Sequence, residues 1–141
     1  MSENNFAKGQ CLCGKVHITI SSPPQFMAQC HCDDCRKSTG TGHISNAFFK
    51  QDEVEIQGET SCYDSVTDSS STITRYFCPT CGSRLHGINS ASKDVVGIPV
   101  GILEDSSWFK PDCIVYNKSK PQWDFMDESV PTFEGMPPAS S

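Results

Sequence analysis

Seven of the nine cysteines in this 141-residue chain fall into three tight groups. Cys11 and Cys13 are one residue apart in GQCLCGK, Cys78 and Cys81 form a Cys-x-x-Cys in YFCPTCGS, and CHCDDC holds Cys30, Cys32 and Cys35. Thiolates are soft ligands, and a structural zinc site sets four of them tetrahedrally at about 2.3 Å from the ion. Each of the two pairs is a pincer followed by glycine. Gly82, like Gly14, permits the positive φ of a turn that aims sulfurs and backbone N–H groups at one ion. Two pincers far apart in sequence can close one four-cysteine site, stapling the N-terminal strand region to the middle of the chain. Zinc held in that way contributes directly to folding.

CHCDDC is a different case. Three cysteines within six residues have no obvious fourth thiolate, and three protein ligands with an open position is the architecture of a catalytic zinc. Zinc with three thiolates carries a local charge of about −1, which Arg36 and Lys37 are placed to offset; the same two cations can draw an anionic ligand. Spacing leaves the partition open. Cys78 and Cys81 can also close a site with two of the central three, and a histidine or aspartate can complete the triad as a purely structural site. Cys62 and Cys113 stand alone in strand-like segments and read as small buried apolar residues.

The elements that must position these sulfurs read as short strands. Lys15–Ile20 alternates, with Val16, Ile18 and Ile20 on one face. Val54 and Ile56 alternate in DEVEIQG, and Ile73, Arg75 and Phe77 share one side of STITRYF. Asp94–Leu103 is mostly apolar but is interrupted by Gly97, Pro99 and Gly101, which suits a bent or bulged strand. Asp112–Tyr116 is a further short strand. One or two helical turns are expected at Asp33–Ser38, with Asp33 and Asp34 as capping residues. Turn chemistry separates the pieces at Ser21–Pro24, Gly40–Gly42, Asp64–Ser71 and Glu104–Ser107. The fold class is therefore mainly β, built of small sheets.

Bulk properties set the limits. The length fits one domain, 1–141, with a core at about 7–125, an irregular tail at 131–141 and disorder in its last few residues. An apolar fraction of 36% implies a thin core, with metal as a second source of stability. A net charge of −6 argues against a nucleic-acid surface. No stretch approaches the roughly 18 apolar residues of a membrane span, and MSENNFAKGQ has no apolar signal core. The expectation is a cytoplasmic protein, whose thiols stay reduced and so serve metal or catalysis rather than disulfides. Nothing in the sequence sets the oligomeric state.

The order of the motifs resembles the glutathione-dependent formaldehyde-activating enzyme family, also called centromere-protein-V-like. The likeness is carried by GQCLCGKV at Gly9–Val16, QCHCDDCRKSTG at Gln29–Gly40 and YFCPTCGSRL at Tyr76–Leu85, with Trp108, Trp123 and the ending PTFEGMP at Pro131–Pro137. The resemblance implies a β-tent-like fold of small twisted antiparallel sheets. It also implies two zinc ions per chain, a structural one on Cys11, Cys13, Cys78 and Cys81 and a second, at the active site, on Cys30, Cys32 and Cys35. The implied activity is that of a carbon–sulfur lyase forming S-(hydroxymethyl)glutathione from formaldehyde and glutathione.

Candidate helpers lie beside the triad. His31 sits between two cysteines, so its ring is expected to point away from their ion and to act, if at all, from behind it. His43 follows the Gly40–Gly42 turn and can reach the triad, or else faces solvent. Arg36 and Lys37 can pair with glutathione carboxylates. His17 and His86 sit in strand-like segments as surface or structural residues. Two functions compete: an enzyme making or cleaving a thiol–aldehyde adduct, and a non-catalytic zinc-stabilised module that binds another protein. A fourth protein ligand at the triad would favour the module.

Overall fold

A computed structural model describes residues 5–137. Ten strands form two sheets. β1 (Ala7–Gln10), β2 (His17–Ile20) and β5 (Val54–Gln57) make a three-stranded antiparallel sheet in the order β1-β2-β5. The larger sheet uses β3 (Phe26–Cys30), β4 (Ile44–Lys50), β6 (Ser61–Val66), β7 (Thr72–Phe77), β8 (Arg84–Asn89), β9 (Val95–Pro99) and β10 (Cys113–Val115). Its order is β10-β3-β4-β9-β8-β7-β6. Every pairing in it is antiparallel except that of β10 with β3.

The expected alternation in Lys15–Ile20 is what joins the sheets. Val16, Ile18 and Ile20 are fully buried and meet Ala47 and Phe49 of β4 and Val96 and Ile98 of β9 in one core. Each such aliphatic side chain contributes roughly 1.5–3 kcal/mol by leaving water. Phe6, Phe49 and Trp108 seal one end, with the Phe6 and Trp108 rings 4.9 Å apart. The Asp94–Leu103 segment is a strand only as far as Pro99; Val100–Ile102 turns into a 3-10 helix.

Between β3 and β4 lies the one α-helix of the described residues, α1 (Asp33–Thr39). Its N-cap is Cys32, whose sulfur accepts from Cys35 N, so Asp33 and Asp34 fill the first turn instead of capping it. There they still complement the positive end of the helix. Residues 131–137 lack regular strands or helices but are docked. Ile114 N donates to Pro131 O at 2.8 Å and Phe133 N to Ile114 O at 2.9 Å, along the outer side of β10. The residues expected to be disordered, 138–141, lie outside the described residues.

Candidate metal centre and active site

The two pincers close with turns of different length, three residues in one and four in the other, that both end on a left-handed glycine. Gly14 N donates to Cys11 O at 3.1 Å and Gly82 N to Cys78 O at 2.8 Å, and the two glycines have φ of 81° and 80°. A side chain at either would be strained, which is why both turns carry glycine. The turns converge so that the sulfurs of Cys11, Cys13, Cys78 and Cys81 all lie within 4.8 Å of one another. Cys11 and Cys13 Sγ are 3.6 Å apart, and Cys13 and Cys78 Sγ 3.7 Å. The edge of a tetrahedron with bonds of about 2.3 Å is about 3.8 Å, so these spacings fit zinc. All nine cysteines are free thiols in the structure. Ser83 joins the two turns: its hydroxyl accepts from Leu12 N at 2.9 Å and lies 3.2 Å from Cys81 Sγ. That hydroxyl, helped by the Ser83 backbone, pulls the Cys81 thiol down to about 5, toward the ligating thiolate form.

Cys30, Cys32 and Cys35 form a second cluster, also within 4.8 Å. β3 delivers Cys30, the helix cap Cys32, and the first turn of α1 Cys35. Cys32 N reaches Cys30 Sγ at 3.5 Å and Cys35 N reaches Cys32 Sγ at 3.3 Å, so the backbone already points positive N–H groups at the sulfurs. The thiols of Cys30 and Cys35 bring Cys32 down to about 2, while Cys32 and Cys35 push Cys30 upward. The mutual contacts and the backbone N–H groups thus favour thiolate character at this cluster, and a cation replacing the protons is the natural complement. Among the described residues no histidine, aspartate or glutamate joins this cluster.

A third group is His31, His43 and Asp124, in which His31 lies between two of the triad cysteines in sequence. His31 is completely buried, and its Nδ1 donates to Gly42 O at 2.9 Å, with Asp124 Oδ2 at 3.4 Å. The ring is thereby turned toward Gly42 and Asp124. Its Nε2 is buried with no partner. His43 Nδ1 is hydrogen-bonded to Asp124 Oδ2, and its Nε2 receives the Gln29 amide at 3.4 Å. The carboxylate accepts the Nδ1 proton, so the Nε2 lone pair of His43 remains the basic position. Gly42 makes room for this arrangement: a Cβ there would collide with the Asp124 carboxylate.

A model of the glutathione-dependent formaldehyde-activating enzyme family matches residues 6–119. The chain belongs to that family. A curated relative from Penicillium rubens, described as a putative glutathione-dependent formaldehyde-activating enzyme, is 27% identical over 114 residues, covering 76% of this chain and 59% of its own length. The chain therefore spans about three-fifths of that relative. A crystal structure of a Rhodobacter sphaeroides protein is similar in fold, with a TM-score of 0.58 and 23% identity over 74% of this chain and 96% of that one.

Within this member of the glutathione-dependent formaldehyde-activating family, the structure brings together the two cysteine sets that the sequence singled out. Cys113 is buried as expected, but Cys62 is exposed, because β6 is the edge strand of its sheet. Arg36 bonds Ser119 O at 3.3 Å and lies 3.8 Å from Asp33, while Lys37 is exposed. His17 is exposed and His86 is buried, stacked on Tyr76 at 4.2 Å. Asp124 was not among the expected residues, and neither was Tyr116, whose hydroxyl donates to Asp68 at 2.9 Å and which packs, like Cys30, against the buried cluster of Ala28, Cys113 and Val115. Among the described residues no helix is long and apolar enough to cross a membrane.

Proposed function

We propose that this protein is a carbon–sulfur lyase that makes and breaks thiol–aldehyde adducts in the cytoplasm, forming S-(hydroxymethyl)glutathione from glutathione and formaldehyde. In that reaction the sulfur bonds to the aldehyde carbon, the C=O π pair moves to oxygen, and the thiol proton ends on that oxygen. The observation that carries the reading is the three-sulfur cluster of Cys30, Cys32 and Cys35, which no other protein ligand completes among the described residues. Two zinc ions per chain suit the two cysteine sets. At the triad, zinc would supply a Lewis-acidic position that favours thiolate over thiol.

The other steps belong to the chain. Cys30, Cys32 and Cys35 would hold the ion and leave room for the thiol. We assign His43, whose tautomer Asp124 fixes, as the base: its Nε2 would give up the Gln29 amide, take the proton released by the thiol and return it to the adduct oxygen. Because thiols add to formaldehyde without help, the gain required is modest and proximity provides much of it. Zinc-loaded protein mixed with glutathione and a panel of aldehydes tests this by NMR exchange rates of the adduct. Rates above a protein-free control are expected for formaldehyde; rates equal to it would leave a zinc-stabilised binding module.

A further inference from the structure

Two arginines on the paired strands β7 and β8 lack any acidic partner among the described residues. Arg75 on β7 is 8% exposed and its Nη1 donates to the hydroxyl of Ser65. Arg84 on β8 donates from Nη1 to Ser38 Oγ at 2.8 Å, and its Nε is buried with no partner. No carboxylate among the described residues lies within 4.0 Å of either guanidinium. Ser38 lies on α1, and its hydroxyl also donates to Cys35 O at 3.4 Å. Arg84 therefore grips the helix that carries the third sulfur of the triad. His86, two residues along β8, adds a buried Nδ1 with no partner.

Guanidinium groups stay charged, and charges removed from water require a counter-ion. A zinc–trithiolate centre carries about −1 and offsets one of the two cations. That leaves the second guanidinium without a counter-ion until a substrate anion binds, together with an unused N–H on Arg84. Hydroxyl partners such as Ser38 and Ser65 orient the two forks without neutralising them.

We propose that Arg75 and Arg84 form a receptor for a carboxylate of the thiol substrate, so that the site selects thiols bearing an acid group. The proposal rests on the thiol–aldehyde reading above and names the feature by which the thiol is chosen. Charge-assisted, forked hydrogen bonds from arginine to carboxylate would supply the recognition. Adduct formation itself involves neither arginine.

The test compares glutathione with its diethyl ester on zinc-loaded protein, measuring affinity by calorimetry and adduct exchange by NMR. Wild-type protein is expected to bind glutathione about tenfold or more tightly than the ester. Arg84→Gln should bring that ratio close to one by weakening glutathione alone, and Arg75→Gln should act in the same direction. Arg84→Lys, which keeps the charge but loses the fork, should retain part of the preference and guards against a variant that fails to fold. An equal loss for both thiols would overturn the proposal, since the arginines would then only balance the metal centre. Equal affinity of the wild type for both thiols would overturn it too. The two readings separate cleanly: accelerated exchange without carboxylate preference sinks the receptor alone, and preference without acceleration sinks the enzyme alone.

Discussion

His43 Nδ1 stands 2.7 Å from Asp124 Oδ2, a contact that spans 81 positions of sequence. The same carboxylate lies 3.4 Å from buried His31, whose Nδ1 proton goes to Gly42 O, so one acid stands beside both imidazoles. Asp124→Asn should lower adduct exchange by about tenfold or more, the scale of a misdirected general base, with little change in melting temperature. Gly42→Ala should have a similar effect, because its methyl group would displace that carboxylate. Wild-type exchange in both variants, measured by NMR, would reduce the group to a structural role.

The two cysteine sets should differ in what they do for stability. Cys11 and Cys78 are each 1% exposed and join turns that are distant in sequence. Cys78→Ser is expected to cost more than about 4 kcal/mol, the scale of losing a structural metal. Cys32→Ser should cost less than about 1 kcal/mol, because serine can take over the helix cap that the Cys32 sulfur now provides. Matching thermal melts of the two variants would contradict this division.

Metal release should follow the same division. Zinc at the triad, held by three sulfurs, should leave under mild chelation, while zinc on the four-cysteine set remains. Metal analysis before and after treatment is expected to fall from two ions per chain to one. Circular dichroism should show the strand content unchanged. Simultaneous loss of both ions would count against unequal sites.

His86 gives a pH dependence of defined sign. Burial, and then the charge of Arg84, push its pKa down to about 4 from an ordinary 6.5. Between those values the unfolded chain binds the proton more readily than the folded one. The contribution of a neutral His86 is therefore present above pH 6.5 and is lost as pH falls toward 4, on the order of 1–3 kcal/mol in all. NMR titration of the imidazole should show the low pKa, and His86→Phe, which preserves the stack on Tyr76, should flatten this part of the stability profile. An imidazole titrating near 6.5 would refute it.

The metal sets are legible in the sequence because ligand spacing is local information: Cys11-Leu12-Cys13-Gly14 and Cys78–Gly82 each encode their own turn. Val16, Ile18 and Ile20 are legible for a similar reason, since alternation over about four to six residues marks a half-buried strand. β3 and β4 are harder to read, because Ala28 and Ala47 face inward and give little hydrophobic contrast. Asp124 has no local signature, as its role depends on a loop returning to His43. Arg75 and Arg84 are hidden similarly: each looks like an ordinary strand residue until the sheet removes both from water. Cys62 departs from its expected burial because edge position is a property of the whole sheet, not of its segment.

The two ends of the larger sheet are finished differently. At β10 the chain's own final segment supplies Pro131 and Phe133 as backbone partners, so that border is closed from within. At β6 no backbone hydrogen bond among the described residues reaches the outer border, and Tyr63 and Val66 are each 70% exposed there. Lateral growth by a foreign strand is therefore directional, open beside β6 and blocked beside β10. Removing the residues after 130 would abolish that asymmetry and give the sheet a second adhesive rim.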